Sequence, residues 1–534
     1  MRSASVVLLL AAGCGQSVLG IDVVLATHAC PGATAQDSTR NPVNGVDTLR
    51  FRVTGDGLLP QVLDVAFAGG SAHLPGIAVG NNRRVTVEAR RGTHLISRAD
   101  SGKFDAVGPG DVHLQLFLRV VDAFTTTGSA DGGACTRLTV PRAGHAMTLL
   151  PDGRVLVSGG FTLDPASSKL QYHDAAEIFD PQTGGFAALP ASPLERRSGH
   201  SAVAISGPAG AAVLLAGGAG TQTNNPDGLA IALRGFELYV NGAWSQVLAP
   251  ASSPAREHQA AAVDLRTGSV VLAGGQSGPD SSNPAVLDTA TVFAPSTGAV
   301  TDVAQHLRAG PLTDAVAVAR DNLRNGLKLG GLALIGGRDA TGKVSTQLSG
   351  LVFSESANDF VDDPAYRLLA LPSPRAHHVA ARMRDDTIIT AGGVTSWAMA
   401  PDYSHATAEI TLINPQGATV GNLVNQQLSR ARADSCTATL EDGSVLVVGG
   451  AWQDNAGLHS ARQVDLVSPE LTVRPPYGPE NADGTLQAGR HRAACVRLRD
   501  GSVLVTGGLQ YPAGGTGAPA VLDSAEIYMP IGAP

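Results

Sequence analysis

Apolar residues in the last four hundred positions of this chain come in short consecutive runs, and each run closes on two glycines. The runs read VLVSGG to Gly160, VLLAGG to Gly218, VVLAGG to Gly275, LALIGG to Gly337, IITAGG to Gly393, VLVVGG to Gly450 and VLVTGG to Gly508. Successive pairs stand 58, 57, 62, 56, 57 and 58 residues apart. A period of that size marks a propeller or a solenoid. Apolar residues at consecutive positions predict a strand buried on both faces, as happens when each small sheet lies between two others. A second short run precedes each of these, such as His145–Leu150, and Asp-Gly joins the two at Asp152-Gly153, Asp442-Gly443 and Asp500-Gly501. That dipeptide between apolar runs is a strong hairpin signal, because the turn needs positive φ. A third strand reads AEIFDP (Ala176–Pro181), ATVFAP (Ala290–Pro295) or AEIYMP (Ala525–Pro530), and a poorer fourth follows, such as Phe186–Leu189 or Trp244–Leu248. The last unit stops after three strands, so the segment Ala134–Val140, upstream of the first unit, is expected to supply its fourth and remove a free sheet edge.

Before this array the pattern changes. Stretches at Val23–His28, Thr48–Val53, Gln61–Phe67, Arg84–Ala89, His94–Arg98 and Val112–Val121 are strand-like between Gly, Asn and Asp turns, and apolar and polar residues alternate at Val85–Arg90 and Val112–Val121. Period-2 strands so separated predict a β-sandwich. The polar run Thr125–Gly133 reads as a linker.

The repeated units resemble the kelch family, whose signature is an Arg-containing first strand, a Gly-Gly closing the second and a third resembling Ala176–Pro181. The resemblance covers residues 135–534 and all seven units, with Leu307–Pro364 the poorest match because it lacks the Arg and His. It implies an all-β chain: a seven-bladed kelch-type β-propeller (135–534) preceded by a small Ig-like β-sandwich (14–134). Under that resemblance Arg142, His145, Arg197, His200, Arg256, His258, Arg375, His377 and His378 are structural, with the side chains satisfying backbone groups between blades. The stretch His145–Gly160 also resembles a blade of galactose oxidase. That family places a Tyr-His pair there as copper ligands, whereas Gly144 precedes His145, and Tyr172-His173 falls in a loop. A galactose oxidase-like carbohydrate-active or copper redox enzyme is therefore the second reading. The first is non-catalytic binding, with no catalytic residue, metal or cofactor.

Composition sets the address. Charged residues make up 16% of the 534 positions and the net charge is −8, which argues against nucleic acid. Arg2, the apolar Val6–Ala12 and the small residues before Cys14 resemble a bacterial lipoprotein signal. The resemblance implies removal of residues 1–13, lipid on Cys14 and a place in the cell envelope, at the outer membrane or surface. Of the remaining cysteines, Cys30 and Cys135 flank the sandwich and are candidates for a disulfide. Cys436 and Cys495 lie on first strands of different sheets and are expected to stand too far apart to bridge. Long loops follow the second strands and carry Tyr172, Trp397, Tyr403, Trp452 and Tyr511. Loops on a rigid scaffold bearing aromatic anchors are where binding concentrates. The expected partner is a protein or glycan at the cell surface, with the membrane reached through the lipid.

Overall fold

The computed structural model describes residues 4–7, 18–19, 21–26, 40–67, 77–107, 112–126, 128, 135–164, 167, 169–193, 195–207, 210–221, 231–278, 284–321, 323–324, 327–397, 401–416 and 418–532. Among them there is no α-helix: strands and three short 3-10 turns account for the regular structure. Cys14 and Cys30 fall outside the described residues.

The repeats form seven four-stranded antiparallel sheets. In sheet one, Ala146–Leu149, Val155–Ser158, Ala176–Asp180 and Gly185–Ala188 follow one another in space as in sequence. Sheets two to six repeat this order from first strands at Ser201–Gly207, Ala260–Val263, Val316–Ala319, Val379–Arg382 and Cys436–Thr439. Sheet seven holds Ala494–Arg497, Val503–Thr506 and Ala525–Met529. The second strands are buried at every position in six sheets, and in sheet two over the last four residues of Gly210–Ala216, as their unbroken apolar runs require. Each first strand lies beside the first strand of the next sheet, and that of sheet seven lies beside that of sheet one.

The double glycines explain this succession. Both members of each pair have positive φ, +62° and +96° at Gly159 and Gly160. A Cβ on Gly159 would meet the Arg197 carbonyl oxygen at 2.4 Å. The tight approach lets the second glycine's N–H donate to a carbonyl of the following repeat: Gly160 to Arg197 at 2.8 Å, Gly218 to Arg256 at 2.9 Å and Gly450 to Arg490 at 2.8 Å. In the last repeat Gly508 donates to Arg142, at the start of the first, at 2.9 Å. The arginines themselves are fully buried and point inward along their own repeats. Arg142 Nη1 donates to the Gly159 carbonyl at 2.7 Å and Nη2 pairs with Glu177 at 2.5 Å. Arg490 does the same with Gly507 and Glu526, at 2.8 and 2.7 Å. Arg432 meets Asp465 at 2.8 Å, and Arg256 takes the Thr291 hydroxyl at 2.9 Å in place of a carboxylate. The acidic residue of the third-strand motif is thus the counter-ion of a buried arginine, as a buried charge requires.

Three expectations need correction. The fourth strand of sheet seven is Ala123–Thr126, paired with Glu526–Met529, not Ala134–Val140, whose described residues contribute to that sheet the single bridge Arg137–Ser524. Phe124 decides this. It is fully buried, packs against the Tyr528 ring with centroids 5.3 Å apart and joins the core between sheets six and seven. Asp122 holds the entrance to the strand, accepting from the Tyr528 hydroxyl at 2.5 Å and pairing with Arg474 at 2.6 Å. Thr125 and Thr126 are therefore strand, not linker. Second, Cys436 and Cys495 are disulfide-bonded, with Cα atoms 5.7 Å apart. Separate sheets do not keep them apart, because the first strands of sheets six and seven run side by side. Cys135 is also disulfide-bonded. Third, Val112–Val121 is not one strand. It breaks after Phe117: Val112–Phe117 pairs in parallel with Ile21–Ala26, and Arg119–Val120 pairs with His94–Asp100 in the other sheet. That other sheet runs Arg119–Val120, His94–Asp100, Gly80–Arg91, Thr48–Gly55, Leu58–Ala66, with Phe104–Ala106 also on Gly80–Arg91. Val23, Leu25 and Leu116 from one sheet close on Leu49, Phe51, Val85 and Val87 from the other, so the two faces share a core.

Candidate functional site

One position recurs two residues before the start of each first strand and adopts a left-handed backbone in all seven repeats. Its occupants are Gly144, Gly199, His258, Asp314, His377, Asp434 and Arg492, with φ between 51° and 61°. The preceding residue pairs with the residue just after the double glycine, as in Ala143–Phe161, Ser198–Ala219, Ala376–Val394 and His491–Leu509. These positions therefore share one end of the sheets with the long loops. They also bond to one another. The Gly144 N–H donates to the Arg492 carbonyl, Gly199 to Gly144, Asp314 to His258, Asp434 to His377 and Arg492 to Asp434, at 2.9–3.1 Å. These bonds join His377, Asp434, Arg492, Gly144 and Gly199 in one run and His258 and Asp314 in another; two of the seven positions carry no side chain and five carry polar ones.

Those five form a continuous charged arc. His258 Nδ1 lies 3.0 Å from Asp314, and His377 stands between two carboxylates, 3.5 Å from Asp314 and 2.6 Å from Asp434. Arg492 reaches Asp434 at 3.3 Å and Arg338 reaches Asp314 at 2.6 Å. Burial opposes charge on His377, yet Asp434 and Asp314 override it and hold the imidazole up at about 9. Burial likewise opposes the charge on Asp434, but His377 and Arg492 outweigh it and keep the carboxyl well below its usual range. At neutral pH His377 is thus a cation between the carboxylates of Asp314 and Asp434, with Arg492 as a second cation on Asp434. A left-handed non-glycine residue stores strain of order 1–3 kcal/mol, less for Asp and His than for Arg, and such strain clusters at functional sites.

On the glycine side the absent side chains leave room. A cavity of about 320 Å³ opens there, bounded by Gly144, Gly199, Phe161 and Tyr172 on one side and His258, His377, Asp434 and Arg492 on the other. Its volume is in the range of small-ligand sites, and its walls combine an aromatic face with converging charged groups.

Of the aromatic loop residues, Tyr172 lines this cavity, paired with Phe161 across a hairpin. Trp397 stacks on His377 at 5.2 Å, with the Arg338 guanidinium 3.7 Å above its ring. Tyr403 is buried and its hydroxyl donates to Asp434. Tyr511 stacks on His491, which in turn meets Tyr403 edge-on. Trp452 lies outside this chain, sandwiched by His459 and Arg430, and shares a shallow cavity with Tyr403. Tyr403, Trp397 and Tyr511 therefore support the arc from behind, and Tyr172 walls the cavity.

The first-strand residues divide. Arg142, Arg197, Arg256 and Arg375 are buried between sheets and bond backbone carbonyls or the third strand. His145 and His200 reach hydroxyls of neighbouring sheets, Thr506 at 2.8 Å and Ser158 at 2.9 Å, and burial pushes His145 down to about 3. His258 and His377, grouped with them in the sequence, instead face the cavity. Asp314, Asp434 and Arg492 join them from the column G, G, H, D, H, D, R that the aligned repeats give at this position, the one signal of the arc in the sequence. Among the described residues no group of three or more His, Cys, Asp and Glu is placed to hold a metal ion.

No family model matches the chain, and no curated protein matches it. Among solved structures it is similar to the structure of YjhT, with 17% identity, 64% of this chain and 98% of that chain covered, and a TM-score of 0.45. A likeness this loose carries no argument for this chain.

Proposed function

We propose that the chain is a seven-bladed kelch-type propeller, preceded by an Ig-like sandwich, that binds a polar ligand non-catalytically in the cavity beside the charged arc. The ligand is a surface glycan or a polar protein loop. Its polar groups meet Arg492, His258 and Asp434, and its apolar face lies on Tyr172 and Phe161. The observation that carries the reading is the arc itself: five repeats keep a polar, titratable side chain on strained backbone where two others use glycine. Lipid on Cys14 would present this face at the cell envelope. The test is a glycan array probed with the purified protein and with Arg492→Gln and His258→Gln. A glycan retained by the wild type and at least tenfold weaker on either variant supports the reading. An array on which the wild type retains nothing, or the variants retain the same glycans equally, counts against the glycan form. Loss of cross-linking to envelope proteins in the same variants then decides the protein form.

A further inference from the structure

At the opposite end of the strands, the sandwich meets the turns of sheets one and seven around a second cavity of about 400 Å³. Phe104, Leu114, Leu116 and Phe117 give it an apolar wall. Arg119 faces it. The residue is 8% exposed and its guanidinium lies over the Phe117 ring at 5.1 Å. Among the described residues no hydrogen-bond acceptor meets that guanidinium, unlike the buried arginines Arg142, Arg197, Arg256, Arg375, Arg432 and Arg490. The carboxylates around the cavity are already engaged. Asp100 is held by Arg84 and Arg98, both at 2.8 Å, and Asp152 by Arg154 at 2.6 Å. Asp180 accepts from the Gln182 N–H at 2.8 Å, and Asp500 accepts from the N–H and hydroxyl of Ser502 at 2.9 and 2.6 Å. Lys103 and Arg499 stand exposed at the rim. Burial pushes Arg119 down to about 10, partly offset by the Asp500 charge, so it remains a cation at neutral pH.

We propose that this crevice binds a small organic carboxylate with an apolar body, the carboxylate on Arg119 and the body against Phe104, Leu114 and Phe117. A planar guanidinium matches a carboxylate in a two-point fork, and a buried cation without a counter-ion is costly. A monoanion is favoured over a phosphate dianion, because Asp180 and Asp500 line the same space. The ligand would touch both the sandwich and the repeat array, so it would also tie them together.

The experiment uses hexanoate and phenylacetate as probes and 1-hexanol as their neutral counterpart, read by saturation-transfer NMR and by titration against the purified protein. Hexanoate should bind the wild type at least tenfold more tightly than hexanol, and Arg119→Gln should weaken it at least tenfold. Lys103→Gln combined with Arg499→Gln changes only exposed rim residues and should weaken it several-fold, with a shallower salt dependence. This variant decides the matter if Arg119→Gln does not fold. Absence of saturation transfer to either acid, equal binding of hexanol, or unchanged affinity in the folded variants would overturn the proposal.

Discussion

Replacing Glu177 by Gln isolates the buried arginine that each repeat is built around. Arg142 and Glu177 are both fully buried, and their contact is the only carboxylate available to that guanidinium among the described residues. Neutralising Glu177 leaves a buried charge uncompensated, a change that costs about 3–5 kcal/mol. Arg142 would keep the Gly159 and Ala175 carbonyls at 2.7 and 2.9 Å, which places the loss near the lower end. Glu177 also accepts from the N–H groups of Thr139 at 2.7 Å and Val140 at 3.3 Å. A Gln oxygen can take one of them, and the orphaned other adds roughly 1 kcal/mol. A loss of about 3–4 kcal/mol is expected, a large part of the ~5–15 kcal/mol that stabilises a typical domain. Urea unfolding followed by tryptophan fluorescence measures it. The double variant Arg142→Met, Glu177→Gln leaves no uncompensated guanidinium and should be no less stable than Glu177→Gln, because the unpaired buried charge is gone. A Glu177→Gln loss below about 1 kcal/mol, or a double variant worse than the single, would refute the reasoning. The structure holds its own comparison in sheet three, where Thr291 stands in for the carboxylate and Arg256 is held by hydroxyl and carbonyl oxygens.

Other consequences are open to measurement. The Cys436–Cys495 bridge spans 59 residues, so Cys436→Ala with Cys495→Ala should lower stability by about 4 kcal/mol on the loop-entropy model, read as a shift in the urea midpoint. His377 is raised from 6.5 to about 9 in the folded protein, so its contribution is fully present below pH ~6.5 and is lost as pH rises through 9. His377→Gln should flatten that alkaline decline in a pH series of unfolding curves, and an unchanged slope would remove His377 from the arc's electrostatics. Asp434 acts in the opposite sense: its contribution is present at neutral pH and fades only in acid below the unfolded carboxylate's range.

What could be read in the chain, and what could not, follows from range of interaction. The seven second strands and their hairpins are local: an apolar run, a Gly-Gly and an Asp-Gly turn each state their own geometry. The closing strand is not local. Ala123–Thr126 carries only Phe124 as an apolar signal, and its partner Glu526–Met529 lies four hundred residues away. The disulfide between Cys436 and Cys495 depends on how closely two sheets approach, which no periodicity encodes. The arc was hidden for a different reason. His258 and His377 sit one residue from the structural histidine position of other repeats, and a left-handed backbone turns their side chains into the cavity. The loop aromatics were legible as a group, but their division into cavity wall and support rests on contacts between repeats.

The central claim is that a strand from residues 123–126 completes the last sheet and holds first and last repeats together. Hydrogen–deuterium exchange read peptide by peptide tests it most directly. Amides of 123–126 are expected to be protected as strongly as those of Val503–Thr506, and both should lose protection together as urea is added. Rapid exchange across 123–126 while 525–529 stays protected, with slow exchange at 135–140 instead, would contradict it.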